Sequence, residues 1–357
     1  MMTLRAPVIA SLALMLVGCG GGGNSGSAPP IPPAGSNVRD VTADLSRYIT
    51  DSVTYVQAFS EGYVVPSAAQ LNQFDSVVAS LVGQDVNTAA ASAGALNFEV
   101  VRFTDSAAGN NVLYCLQEID LRGQGFFCVD PDSAARHHIS VPHPLYDLGT
   151  HVESAQVMRE TGARFLSVST SHRCANSANS VCSGTTSACG AAGPYKVSDA
   201  AHNVDAFFYR FGVAVHDHNA TTTTLQLHGC GSTTCPSNYN ANDIVARLSA
   251  GTTINLDGNE PVNQLNAALN SEIAGAGLGA SLSCSEPGDD KLLCGTTNTL
   301  GRYINGQPEP CQNAAMSFEG SRWLHIEQNR NLRQDDGAGD EITPQSLSNA
   351  INDVLGP

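Results

Sequence analysis

The chain has 357 residues, with 17 Lys and Arg against 33 Asp and Glu, a formal charge of −16. Charged side chains are 14% of the total, about half the usual share, which excludes a charged coiled coil, and the acidic balance leaves no basic stripe for nucleic acid. The 42% apolar fraction suffices for one large domain or two ordinary ones, and eleven cysteines are too many, and odd in number, for a typical cytosolic enzyme.

Arg5 is the one charge before a run from Ala6 to Val17 that is apolar except for Ser11. Residues 1–18 therefore read as an export signal, too short to span a bilayer as a helix. The run ends in Leu16-Val17-Gly18-Cys19, which resembles the lipobox of bacterial lipoproteins. That resemblance implies a lipid on Cys19 and tethering to a membrane of the cell envelope; an ordinary cleavable signal is the alternative. Residues 19–38 form a Gly/Ser/Pro tether with nothing to bury. Eleven cysteines less Cys19 leaves ten, an even number suited to about five disulfides in an oxidising compartment. Cys115 with Cys128, Cys230 with Cys235 and Cys284 with Cys294 are local pairs, whereas Cys174, Cys182, Cys189 and Cys311 cannot be paired from sequence. Metal binding by these thiols is the rival reading, and the chain has no CxxC doublet to support it.

Residues 39–96 read as N-terminal helices and 97–357 as the main domain. Val41, Leu45, Tyr48, Ile49, Val53 and Val56 recur at helical spacing, as do Leu71, Phe74, Val77, Val78 and Leu81 after Pro66. Residues 98–103, 112–116 and 126–129 are short strands separated by Gly/Asn/Asp turns, a meander stapled by Cys115 and Cys128. A strand through Ile139 and Val141 precedes a helix over 152–160 that stops at Gly162. Residues 165–169 form the next strand, followed by a Cys/Ser/Gly-rich loop of unusual length. Ser198 is placed to cap a helix with Val204, Phe207, Phe208, Phe211 and Val215 on its apolar face. Then come a strand at 222–227, a helix at 240–248, a strand at 253–256, a helix opened by Pro261, a strand at 323–327 and a last helix capped by Thr343-Pro344. This alternation predicts an α/β fold with a mostly parallel or mixed central sheet flanked by helices, and a small N-terminal helical and meander extension.

Ligands in open α/β sheets bind beyond the carboxyl ends of strands. Three segments put polar groups there: His143 to Thr150, His228-Gly229, and Leu324 to Arg330. Two imidazoles and one carboxylate can hold a catalytic zinc and leave a position for water, while a further carboxylate handles protons. Each segment alone also has a plain structural reading: a hydrogen-bonded strand-end His, or a Glu paired with Arg330 or Arg333. Ser171-His172-Arg173 follows a strand end, so Arg173, with His172 beside it, is placed to bind a substrate carboxylate; a surface Arg beside a disulfide is the alternative. His202 and Asp205 read as the solvated face of their helix, and His137-His138 and His216/His218 as structural.

The order of the three segments resembles the zinc carboxypeptidase superfamily, in which a His with a nearby acidic ligand, a second His after a middle strand and a late-strand Glu base follow one another. Within it the chain looks most like the poly-γ-glutamate hydrolase branch, through His143, Asp147 and Gly149-Thr150, then His228-Gly229, then Glu327 through Leu332-Arg333. The resemblance spans about residues 139–334. It implies zinc held by His143, Asp147 and His228, with Glu327 as general base. The superfamily usually has Glu rather than Asp as second ligand, at other spacings, which leaves His151 and Glu153 as alternatives to Asp147. The function so implied is a membrane-tethered zinc amide hydrolase, monomeric, acting on a carboxylate-bearing or γ-glutamyl-type peptide or polymer. An N-acyl amino acid deacylase resembling N-formylglutamate amidohydrolases, and a non-catalytic surface-binding lipoprotein, are the rival functions. The acidity of the chain counts against a polyanionic substrate unless the cleft supplies its own positive charge.

Overall fold

The computed structural model describes residues 38–235, 243–276, 279–288, 291–312, 320, 322–333 and 344–356, and these belong to one compact unit. The signal, Cys19, the tether and Thr343 lie outside the described residues. β1 (Val38–Ala43) leads into α1 (Leu45–Asp51). The helical stretch expected from Val41 to Val56 is divided here, because the Asp44 carboxylate accepts the Ser46 and Arg47 N–H groups as an N-cap. Val41 is thus in a strand, and Val56 bridges to Ser171 beyond the helix. α2 (Ala68–Val82) buries the expected apolar face and starts with a Ser67/Gln70 capping box.

After α3 (Val86–Ala93), the strands β2 (Phe98–Asp105), β3 (Asn111–Glu118) and β4 (Phe126–Val129) form the antiparallel meander, with Cys115 opposite Cys128 and bonded to it. β5 (His137–Val141), α4 (Thr150–Thr161) and β6 (Phe165–Val168) make a parallel crossover unit, and α4 ends at Gly162, whose φ of 62° is the left-handed conformation expected of that cap. β7 (Thr185–Thr186) and β8 (Gly193–Pro194) pair within the Cys-rich loop. α5 (Phe207–His218) carries the phenylalanine face but starts nine residues after Ser198, which instead ties the loop by donating to the Arg173 carbonyl. His202 and Asp205 accordingly precede the helix rather than lying on its outer face.

β9 (Thr223–Gly229) is followed by β10 (Ile244–Ser249), α6 (Pro261–Ala276), β11 (Ala280–Ser283), α7 (Thr299–Ile304), β12 (Trp323–Gln328), α8 (Arg330–Arg333) and α9 (Pro344–Leu355). Two expectations are corrected. In the segment read as a helix at 240–248, residues 244–248 belong to strand β10, buried between β11 and β12, and 240–242 lie outside the described residues; a short apolar run fits either period, and burial in the sheet decides it. Residues 253–256, read as a strand, are loop, and β11 takes the place beside β10.

The ten-stranded sheet has the order β1-β2-β3-β4-β6-β5-β9-β12-β10-β11. β6, β5, β9 and β12 run parallel in its middle, and the antiparallel β12/β10 pair makes the sheet mixed. β1 to β4 are continuous with it, so the N-terminal helices pack on the common sheet rather than forming a separate body. One core gathers Ile139, Val141, Leu225, Leu227, Leu324 and Ile326 under α1, α4, α6 and α9. On the other face α2, α3 and α5 cover the meander and β6, while Tyr209, Leu300, Ile304 and Trp323 form a smaller cluster beside them. Because side chains alternate along strands, that second face receives Gln226 and His228 from β9 and Trp323, His325 and Glu327 from β12, paired in register.

Besides Cys115–Cys128, the disulfides are Cys174–Cys189, Cys182–Cys311, Cys230–Cys235 and Cys284–Cys294, so the three local pairs are as expected. Such usage belongs to an oxidising, non-cytoplasmic compartment. Among the described residues no helix is long and apolar enough to cross a membrane.

Candidate metal centre and its cavity

The loop after β5 builds the first half of the centre. The Asp147 N–H donates to the His143 carbonyl at 2.7 Å, a single helical turn that sets side chains i and i+4 on one side. Gly149, at φ 95°, then lets the chain enter α4. The second half is His228, at the end of β9. One oxygen of Asp147 lies 3.5 Å from His143 Nδ1 and 3.1 Å from His228 Nδ1. All three residues are buried, and together they can hold a metal ion.

The outer ring nitrogens test whether an ion fits. His143 Nε2 meets Asp199 at 2.8 Å and His228 Nε2 meets the Gln226 amide oxygen at 2.9 Å. That oxygen also accepts from Asn298. Carboxylate and amide oxygens only accept, so a proton on each Nε2 leaves each Nδ1 to offer a lone pair to an ion beside Asp147; without an ion, His228 Nδ1, 3.1 Å from Asp147, is placed to donate to it instead. His143 Nδ1 is buried without a hydrogen-bond partner. Lone pairs converging on a carboxylate repel one another unless a cation sits among them. A tetrahedral ion with bonds of about 2.0–2.1 Å sets its ligand atoms about 3.3 Å apart, which matches the two nitrogen-to-oxygen separations.

Electrostatics favour a positive charge among these groups, whether a proton on an imidazole or a metal ion. Burial alone would raise Asp147 and Asp199, yet both are held well below the usual carboxylate range, Asp147 by hydrogen bonds with the two imidazoles and Asp199 chiefly by Arg173. Burial lowers His228, which favours the neutral, ligating form. His143 is raised, since the two neighbouring carboxylates outweigh its burial and the Arg173 charge.

Glu327 stands opposite His228 in the β9/β12 register and lines the same cavity, which encloses about 380 Å³. Burial, reinforced by Asp147, lifts its pKa to about 8 against the pull of Arg173 and Arg333. Arg173 also lines the cavity, with its Nε and a terminal nitrogen on one Asp199 oxygen at 2.9 and 2.6 Å. His172 packs against the Tyr146 ring, and its Nδ1 accepts the Cys174 N–H. The two alternatives to Asp147 lie apart: His151 packs near Tyr55, and Glu153 accepts from Gln328.

Four contributors were not singled out from sequence or were placed elsewhere. His325 is buried against His228 and 3.4 Å from Glu327, and these three form a second group able to hold a metal. Its signal was available, because Leu324-His325-Ile326-Glu327 alternates so that His325 and Glu327 share a face. Leu225-Gln226-Leu227-His228 does the same for Gln226. Asp199 had no local signal. His202, expected on a solvated face, is buried in the cavity wall, stacked on Tyr195 at 3.7 Å with Nδ1 on the Thr297 carbonyl; burial takes its pKa to about 3. His138 is structural as expected, packed on Phe211 and bonded to Ser167. Comparison with protein-family models, with curated proteins and with solved structures finds no match to this chain.

Proposed function

We propose that the chain is a zinc-dependent amide hydrolase of the carboxypeptidase type, exported and tethered through a lipid on Cys19. The observation that supports this most is the convergence of His143 Nδ1, Asp147 and His228 Nδ1, each ring fixed from behind, beside a cavity walled by Glu327. Zinc suits two neutral imidazoles and one carboxylate, and when bound it supplies Lewis acidity toward the scissile carbonyl and the attacking water.

The chain's own residues do the rest. Asp199 and Gln226 hold the imidazole tautomers, and Arg173 steadies Asp199. Glu327 takes a proton from the attacking water and delivers it to the leaving nitrogen, so that the C–N bond breaks with a neutral amine departing. Its burial favours holding that proton between the two transfers. The walls at Thr185 and Cys294 are pinned by nearby disulfides.

The test is metal analysis of the purified chain after expression with zinc, coupled to a cleavage panel of poly-γ-glutamate, peptidoglycan peptides and N-acyl amino acids. The expected result is about one zinc per chain and cleavage of at least one class. Absence of bound metal would sink the enzyme reading in favour of a binding lipoprotein.

A further inference from the structure

The chain's 17 basic residues can all be traced, because outside the described residues Arg5 alone is basic. Two of the 17 line the cavity: Arg173 and Lys291. Arg173 puts two nitrogens on Asp199. The Lys291 ammonium is held by Asn255 Oδ1 at 2.9 Å and by the carbonyls of Cys284 and Glu286 at 2.6 and 2.9 Å. Arg302, behind the wall, donates to the carbonyls of Thr296 and Pro310.

A substrate carboxylate entering here therefore faces competition for both cations that line the cavity. Recruiting Arg173 would draw on the charge that balances Asp199, the group that fixes His143, and Glu327 supplies no positive charge of its own. Away from the candidate centre, the other polar lining carries no Lys, Arg, Asp or Glu. It includes the hydroxyls of Thr185, Thr253 and Thr296 and the ring of His202, whose Nδ1 is committed to the Thr297 carbonyl so that Nε2 is its accepting side. Hydroxyls donate and accept, and the imidazole accepts. Their complement is an uncharged group with both N–H or O–H donors and a carbonyl or hydroxyl acceptor.

We infer that the substrate group filling this cavity is an uncharged hydrogen-bonding group of the primary carboxamide kind, and not a carboxylate. This rests on the amide-hydrolase reading of the adjoining centre and departs from the carboxylate-bearing substrate implied by the family resemblance.

Two matched γ-glutamyl dipeptides test it, one with free α-carboxylates and one with both converted to primary amides. Binding is read calorimetrically on the zinc-loaded full chain, using analogues in which a methylene replaces the scissile N–H so that nothing turns over. The amidated analogue is expected to bind about tenfold more tightly or better, because a carboxylate is costly to desolvate and must share Arg173 with Asp199. Thr253→Lys, which adds a cation to the wall, should narrow or reverse that ratio. Equal or tighter binding of the carboxylate form, or no binding of either, overturns the inference. Cleavage of the parent dipeptides is scored separately. If the amidated analogue binds but neither parent is cut, the hydrolase reading fails while the cavity's preference stands.

Discussion

Asp199 lies 2.8 Å from His143 Nε2, 56 residues away in sequence, while its other oxygen takes the Arg173 guanidinium. One buried carboxylate thus orients the His143 ring and balances the Arg173 charge. Asp199→Asn keeps an acceptor but loses the charge, and zinc affinity should fall about 10- to 100-fold. Competition with a chromophoric chelator measures this. Unchanged affinity would remove Asp199 from the centre.

Asp147→Ala should abolish zinc binding, since that carboxylate faces both imidazoles. His151→Ala and Glu153→Gln should retain full stoichiometry, because neither side chain belongs to the group. The opposite pattern in metal analysis would mean that the loop after β5 offers a different ligand.

Glu327→Gln preserves the shape of the cavity wall and removes the proposed proton acceptor. Cleavage should drop by about 10²- to 10⁴-fold with zinc still bound. Full activity in this variant would assign the base elsewhere, and His325, 3.4 Å away, would be the next residue to substitute.

Glu153 makes a pH-dependent contribution to stability. Its carboxyl is buried and its pKa is pushed up to about 8 from an ordinary 4.5, mainly by burial. The folded chain therefore keeps a proton that the unfolded chain releases in that window. Its stabilising effect is complete below about pH 4.5 and is lost as pH rises toward 8, by at most about 1.4 kcal/mol per pH unit. Glu153→Gln should remove this slope while keeping an acceptor for Gln328. Urea denaturation of both proteins across the range provides the check, and identical slopes would rule the effect out.

Cys182 and Cys311 close a loop with a sequence separation of 129. Replacing both with Ser should cost about 2–5 kcal/mol, because so long a loop regains much entropy in the unfolded chain. The wall residues Thr185 and Thr186 follow closely on Cys182, so ligand binding should weaken along with the denaturation midpoint.

Much of the molecule was legible in local patterns. Alternation and caps located the meander, the β5–α4–β6 unit, β9, β12 and the helices α2 and α6, since these signals arise within about ten residues. The three strand-end segments identified His143, Asp147, His228 and Glu327, because strand ends are where an α/β sheet exposes polar side chains. Short spacing also identified the three local disulfides.

What local pattern could not supply was register and long-range contact. The β9/β12 pairing, which sets Glu327 opposite His228 and His325 opposite Gln226, depends on strands about one hundred residues apart in sequence. Asp199, His202 and the Cys182–Cys311 bond come from a loop whose course is set by its docking on the sheet. β10 reads equally as helix or strand until neighbours on both sides satisfy its backbone. That Asp147, rather than His151 or Glu153, joins His143 and His228 is likewise tertiary: the turn after His143 points Asp147 at His228, while the start of α4 carries the other two away. Composition established that cations are few, and the folded cavity decided that each of the two lining it is already engaged.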